Sequence, residues 1–382
     1  MNIAFQFSIF SMFFSIIQVP YDALIRSHER FKVYANIGLI EIAFKIIVLC
    51  ILVYYDYDKL ILYAGLGFCS SFIIRIIYRV YCRMSFPESK YSFYFEKAYF
   101  KKVLSFTGWT LYGRLSDMAK THAITLLLNQ MFNPAVVAAR AIATNVSTQV
   151  QAFSGNFTSS MNPAIIKLYS AGEMDELYRL IYRGAKMSFF LMWVMALPLI
   201  VEMPLVLKLW LKNPPPDAAI FARLVLVDAL IFAISNPVAT AARGPGKIKK
   251  YELVLGTFQI MIFFISLVVV YLGYPAYSVY VVAIVTSLIM LFIRLYLVRE
   301  LIQLNVANFF RLAVVPSIGV VAISSLVTYL VSLITNDSII SAGFLTITSV
   351  VVSCVAMFFI GLSKGEQKKI SDFLRRKLTR NK

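Results

Sequence analysis

Charged side chains recur on one face of an otherwise apolar stretch, 104–129, where they could bind an anionic ligand. Four polar residues fall within about 60° of one another at about 100° per residue, with Lys120 at the edge of the same face; they are Thr110, Arg114, Asp117 and Thr121. A charge facing hydrocarbon costs about 2.5–3.5 kcal/mol even on the lenient insertion scale, so this face is expected to line protein or a water-filled cavity. The spacing of Arg114 and Asp117 predicts an ion pair, which either neutralises itself and fixes helix packing or orients a binding site. With Lys120 the face is net positive, which suits a phosphate.

The next stretch, 134–161, carries a second polar face. It includes Arg140, Thr144, Asn145, Thr148, Gln149, Gln151 and Asn156, while most of the remaining positions are small or apolar. Arg140 adds another cation, and the amides can both donate and accept hydrogen bonds. The two stretches are separated by the short turn Asn133-Pro134, so we expect them to form a helical pair and two walls of one cavity.

Two further apolar stretches, 35–55 and 217–240, contain ionisable residues. Glu41 and Lys45 are spaced for an i, i+4 ion pair, which is as consistent with helix packing as with a cavity. Asp228 has no partner nearby in the sequence and is a candidate proton or sodium site. Arg223 is expected to extend toward the membrane surface, as long basic side chains do.

The composition predicts an all-α, polytopic membrane protein. Hydrophobic residues make up 60% of the 382 residues, charged residues 15%, and the mean hydropathy is +0.76. Soluble domains have about 25% charged residues, and apolar segments in a bilayer must be helical. Eleven spans are predicted: 2–24, 35–55, 59–81, 104–129, 134–161, 184–209, 217–240, 252–273, 276–297, 311–334 and 338–362. Pro198 and Pro204 are expected to interrupt the sixth.

Enzymatic and nucleic-acid functions find no support in the sequence. Two histidines, four cysteines without paired spacing and the lack of a phosphate-binding glycine loop predict no catalytic, metal or cofactor site. The net charge of +18 is explained by topology, because 29 of the 37 basic residues fall in loops or span ends on one side. The positive-inside rule makes that side cytoplasmic, together with the C-terminus.

The same rule places Met1 outside, although no signal peptide precedes the first span. We therefore expect that the chain is a fragment or has a misassigned start, and that an odd number of helices is missing. The chain is predicted to contain the remainder of an N-terminal lobe (1–83), a cytoplasmic linker (84–103), a six-helix lobe (104–300), two additional helices (301–363) and a basic tail (364–382). The linker is expected to form an amphipathic helix at the membrane interface, and the tail is expected to lie on anionic lipid.

Several short motifs together resemble a known family. They are Phe132-Asn133-Pro134, Ala138-Ala139-Arg140-Ala141-Ile142-Ala143, Asn156-Phe157, Met161-Asn162-Pro163-Ala164-Ile165-Ile166-Lys167, and Gly246-Lys247-Ile248-Lys249 with Tyr251. In combination they resemble bacterial polysaccharide-export flippases, which belong to the same superfamily as the MATE drug exporters. The resemblance covers about 20–300 and is strongest over 103–252. The chain departs from the family pattern at Val137, Ala141 and Asn145, where that pattern has Asn, Gly and Gln.

The resemblance implies a two-lobed, MATE-like bundle of fourteen helices, of which this chain would lack the first three. It also implies a bacterial inner-membrane transporter that flips a polyprenyl-pyrophosphate-linked oligosaccharide, used in the biosynthesis of surface polysaccharide. The implied partner is the machinery that assembles the polysaccharide. The substrate-binding candidates are Arg114, Lys120, Arg140, Asn145, Gln149 and Asn156, and the coupling or orienting candidates are Asp117, Asp228, Glu41 and Lys45. Two alternatives stay open: a cation-coupled multidrug exporter, for which the candidate cavity is too basic, and a non-transporting membrane protein.

Overall fold

The chain is all-α in the computed structural model, which describes residues 2–54, 58–90, 92, 95–334, 339–368 and 371–372. Within these residues there are eleven long helices and no strands. The helices are α1 (Asn2–Ser27), α2 (Phe31–Tyr54), α3 (Lys59–Ser85), α4 (Lys97–Met131), α5 (Pro134–Ala171), α6 (Met174–Leu211), α7 (Ala218–Ala241), α8 (Lys249–Tyr271), α9 (Ser278–Ile302), α10 (Val306–Ser332) and α11 (Ile340–Gly361). Each predicted span coincides with one of them.

Nine of the helices in the described part of the chain are long and apolar enough to cross a membrane. This confirms the prediction of an all-α polytopic protein. The two that fall short are α4 and α5, because their polar faces lower the mean hydropathy. They are also long, with 35 and 38 residues, whereas about 20 residues span the hydrocarbon. That α4 and α5 cross the membrane stays a prediction.

The chain divides into two compact units, Met1–Lys97 and Ala98–Lys382. The first contains α1, α2 and α3, and it is held by a small core that includes Ile25, Ile37 and Tyr78. The boundary lies within the predicted linker. The prediction of a separate amphipathic helix over 84–103 is wrong for the described residues, since α3 continues to Ser85, a single 3-10 turn follows at Pro87–Ser89, and α4 already begins at Lys97. Residues 91, 93 and 94 lie outside the described residues.

Helix α7 is the centre of the second unit. It packs against α5, α6 and α9, and small residues such as Ala222, Ala229 and Ala233 are buried at these contacts. Two hydrophobic cores share the same helices, one at each end of the bundle. Phe221 and Leu226 belong to the first, while Ile234 and Val238 belong to the second.

Helix α6 bends at Glu202, whose φ of −94° and ψ of 17° are not helical. The predicted interruption is therefore present, and its cause is Pro204, which has no N–H to donate to the carbonyl of Ile200. Arg223 on α7 replaces the missing donor: its Nε lies 2.7 Å from Ile200 O and its Nη2 lies 3.1 Å from Val201 O. Arg223, which is expected to extend toward the membrane surface, donates these hydrogen bonds to the bent helix, and its position relative to that surface stays a prediction.

Helices α10 and α11 pack against α6 and against each other. Trp193 Nε1 of α6 donates a buried hydrogen bond of 2.9 Å to Ser324 Oγ of α10. After α11, Glu366 accepts a hydrogen bond of 2.7 Å from Lys186 Nζ of α6, which attaches the start of the C-terminal tail to the bundle. The remainder of the predicted basic tail, 369–370 and 373–382, lies outside the described residues.

Candidate functional site

The polar face of α4 has one cation without a carboxylate partner on its own helix. Asp117 pairs with Lys120 at 2.8 Å, so the predicted ion pair between Arg114 and Asp117 is wrong. Arg114 is exposed, and its charge interacts instead with Glu252, far along the chain on α8. Both candidate partners of Asp117 are three residues away from it, and the sequence alone does not distinguish them.

Arg140 of α5 is held by hydrogen bonds to α4. Its Nε lies 3.1 Å from Thr125 Oγ1 and its Nη2 lies 3.3 Å from Thr121 O. The guanidinium also stacks over the ring of Tyr280 of α9, with its central carbon 5.8 Å from the ring centroid. These contacts bring Arg140 to the α4 face, as the sequence predicts, and they fix its position.

Asp228 of α7 faces the same polar region from the interior of the bundle. Its Oδ1 is buried and accepts no hydrogen bond from a described residue. Ser287 of α9 faces its carboxylate, and the charges of Lys120 and Asp117 act on it from α4. The second unit thus places Asp117 and Lys120 of α4 where their charges act on Asp228 of α7, an arrangement in which a proton or a cation could be exchanged.

A groove of about 520 Å³ opens between α5 and α6. We call it the amide groove, because it is lined by the amides of Asn145 and Gln149 together with apolar residues and Trp210. Both amides are exposed, so their donors and acceptors are available to a ligand. Asn156 is exposed on the same helix but does not line this groove.

The first unit has a separate cavity of about 890 Å³ lined by α1, α2 and α3. Glu41 and Lys45 line it and form the predicted ion pair at 2.8 Å. Opposite them, α1 presents a row of hydroxyls at Ser8, Ser11 and Ser15, each of which donates to a backbone carbonyl of its own helix. The hydroxyls remain able to accept hydrogen bonds, which gives this cavity a polar wall.

The sequence prediction missed a buried polar cluster around α9. Arg294 is 8% exposed and donates to Ser235 Oγ of α7. Tyr251 and Glu252 of α8 are also buried and interact with Arg294. Arg294 was counted with the basic residues of a membrane surface because it lies near the end of a span. The signal that could have found it is the apolar sequence on both sides, Leu291 to Leu297, which predicts burial.

Glycines allow α4 to approach α8 closely at this cluster. A Cβ on Gly113 would overlap the carboxylate of Glu252, and one on Gly256 would lie 2.7 Å from the ring of Tyr112. The hydroxyl of Tyr112 is also 3.1 Å from that of Thr257. The ring of Tyr112 against Gly256 and the contact of its hydroxyl with Thr257 thus hold this part of α4 beside α8.

No group of three or more His, Cys, Asp or Glu side chains that could hold a metal is present in the described part of the chain. Comparisons with protein-family models, with curated proteins and with solved structures found no match. The candidate function therefore depends on the residues and geometry of the chain itself.

Proposed function

We propose that this chain is a transporter that flips a polyprenyl-pyrophosphate-linked oligosaccharide across a bacterial inner membrane, with its C-terminus in the cytoplasm. The observation that carries the proposal is the amide groove, in which the amides of Asn145 and Gln149 lie beside the ring of Trp210. A pyranose ring packs its apolar face on an aromatic ring such as Trp210, while amides bind its hydroxyls. A groove that combines amides with an aromatic ring is better suited to binding a sugar than to binding a simple apolar compound.

The cations of α4 and α5 supply the complementary part of the site. On α4 and α5 themselves, Arg114, Lys120 and Arg140 outnumber Asp117, while Asp228 and Glu252 approach from α7 and α8. The excess of cations on the α4 and α5 faces favours an anion such as a pyrophosphate. An exporter of cationic drugs would require the opposite charge. Membrane lipid would accommodate the polyprenyl chain, and alternating access would move the head group past the hydrocarbon.

Asp228 and Asp117 are the candidate coupling residues of this transporter. A carboxylate with a buried, unpaired oxygen can take up a proton or a sodium ion. Because Lys120 already pairs with Asp117, binding of a pyrophosphate by Lys120 would release Asp117. Substrate and coupling ion would then compete for the same pair of residues. Machinery for polysaccharide assembly would use the flipped product on the outer face.

The test is a flipping assay in proteoliposomes with a polyprenyl-pyrophosphate oligosaccharide labelled on the sugar. We expect Arg114→Gln to reduce the flipping rate about tenfold, since a charge-assisted hydrogen bond contributes about 1.5–3 kcal/mol. Trp210→Leu should reduce flipping of the oligosaccharide more than flipping of the same lipid carrying one sugar. Lys167→Gln removes an exposed charge elsewhere and serves as the control.

Two results would contradict the proposal. Gradient-driven uptake of an organic cation, without flipping of the lipid-linked sugar, would identify a multidrug exporter. Transport of neither substrate by protein that melts cooperatively would identify a non-transporting membrane protein.

A further inference from the structure

A second groove, separate from the amide groove, lies between the N-terminal ends of α4 and α8. It has a volume of about 910 Å³, and we call it the lysine groove. Its floor is apolar and includes Phe106, Trp109 and Leu253. Its rim carries Lys101, Lys102, Lys247, Lys249 and Lys250, and no Asp or Glu is among the described residues that line it.

The helix ends add to the positive charge of this groove. The first turn of a helix has unpaired N–H groups and a partial positive charge, so acidic residues normally occupy it and basic residues occupy the last turn. Here α4 has no acidic residue in its first turn, although Glu96 directly precedes it, and the residue preceding α8, Ile248, provides no side-chain cap. Glu252 is the acidic residue in the first turn of α8, but its side chain is buried against Gly113 and does not line the groove.

Only part of this charge is compensated within the chain. Lys250 pairs with Glu300 at 2.6 Å, and Lys249 lies over the ring of Trp109 at 5.2 Å from its centroid. In the described part of the chain, the other three lysines of the rim form no salt bridge; they are Lys101, Lys102 and Lys247. Two positive helix ends and three unpaired lysines concentrate positive charge at this groove, which would attract an anion.

We propose that the lysine groove binds the head group of an anionic phospholipid of the surrounding bilayer. The phosphate would accept hydrogen bonds from the free lysines and from the N–H groups at the start of α8, while an acyl chain would lie along Phe106 and Leu253. The groove lies where an apolar helix, α8, begins, which is the level of lipid head groups. Trp109 has the amphipathic ring typical of that level, and basic pockets between membrane helices are suited to phospholipid head groups.

The apolar floor favours a lipid over a soluble anion or an acidic protein segment. A free phosphate would use the lysines but leave the aromatic floor unused, and a protein segment would have to enter the hydrocarbon region. Lysines on both walls, from α4 and from the start of α8, favour a lipid with two phosphates. We therefore expect diphosphatidylglycerol to bind more tightly than phosphatidylglycerol, and phosphatidylcholine least. This order does not depend on the substrate that the protein transports.

The first test measures lipid binding by native mass spectrometry of the full chain released from nanodiscs. Each basic residue at an anionic surface contributes about fivefold to binding, so a Lys101→Gln/Lys102→Gln/Lys247→Gln variant should bind diphosphatidylglycerol about 100-fold more weakly. The matched control is Lys167→Gln/Arg311→Gln/Lys364→Gln, which removes three exposed charges that do not line the groove. An equal loss in both variants would mean non-specific attraction and would overturn the proposal.

The second test needs no variant. Wild-type protein is crosslinked with a photoreactive diphosphatidylglycerol, and the modified peptides are mapped. Crosslinks concentrated in 98–109 and 246–254 support the proposal, whereas crosslinks spread evenly over the membrane-facing helices overturn it. Displacement of the lipid by inorganic pyrophosphate at equal concentration would identify a site for a free phosphate and would also overturn it.

Discussion

The hydrogen bonds from Arg223 to the bent helix α6 predict how the free energy of unfolding changes when the guanidinium is removed. Pro204 leaves the carbonyl of Ile200 without its helical donor, and Arg223 supplies the donor from α7. Arg223→Met keeps most of the side-chain length but removes every N–H. It should therefore leave the carbonyl of Ile200 without a partner and also remove the second hydrogen bond, to Val201 O, at a partly buried contact between α6 and α7.

The expected cost is about 1–3 kcal/mol. A buried acceptor left unpaired costs about 1–3 kcal/mol in soluble proteins. Interhelical hydrogen bonds within membranes are weaker, about 0.6 kcal/mol on average and up to about 1.7, and two of them are lost here. The cost should fall in a Pro204→Ala background, because the backbone N–H that this change restores can bond to Ile200 O. The difference between the two backgrounds should be about 1 kcal/mol.

Reversible unfolding in mixed micelles, followed by tryptophan fluorescence, measures the four free energies of this double-mutant cycle. Arg179→Met is the control in both backgrounds, since Arg179 is exposed and pairs only with Glu176 on its own helix. The control should change stability by less than about 0.5 kcal/mol. An Arg223→Met cost that is the same in the wild-type and in the Pro204→Ala background would refute the account of the bend.

Two further predictions concern other contacts. Burial alone would raise the pKa of Glu366, but hydrogen bonds from Lys186 and from Ser363 N outweigh it and hold the pKa below its ordinary value. Its stabilisation is therefore full above the ordinary glutamate pKa of about 4.3 and is lost as the pH falls through the lowered pKa. The melting temperatures of wild type and Glu366→Gln should therefore differ at pH 6, and the difference should shrink as the pH falls below about 4.3. Gly256→Ala should destabilise by about 1–3 kcal/mol in chemical unfolding, because the new Cβ would lie 2.7 Å from the ring of Tyr112 and 3.0 Å from Ser116 Oγ. Gly108→Ala on α4 meets no atom within 4 Å and should be neutral or slightly stabilising; equal effects of the two changes would contradict this packing.

Hydropathy predicted where the helices lie but not where the longest ones end. The start of α5 was predicted because its signals are local: Asn133 caps the helix by accepting from Val136 N at 3.1 Å, and Pro134 occupies the first turn. Its end at Ala171 was missed by ten residues. A hydropathy window detects the part of a helix that matches the hydrocarbon thickness, and the polar continuation beyond it has no apolar signal.

The candidate site was predictable in its residue types but not in its pairing. Periodicity placed Arg114, Asp117 and Lys120 on one face, and the short turn before α5 brought Arg140 near them. Asp117 pairs with Lys120, while the charge of Arg114 acts on Glu252 of α8, on another helix. No local pattern predicts such an interhelical interaction. The buried Arg294 was missed for the same reason, since its contacts come from α7 and α8.

Burial and pairing separate the cations that stabilise the bundle from those that are available to a ligand. Arg294 and Arg223 are bound to acceptors on neighbouring helices, so moving either would leave buried groups unpaired. Arg140 is only partly available to a ligand, because Thr121, Thr125 and Tyr280 already fix its guanidinium. Arg114 is exposed and the structure gives it no hydrogen bond to a described residue, so an anionic substrate would displace nothing to reach it. We therefore expect Arg114 to contribute most to substrate affinity, and Arg140 chiefly to hold α4 against α5.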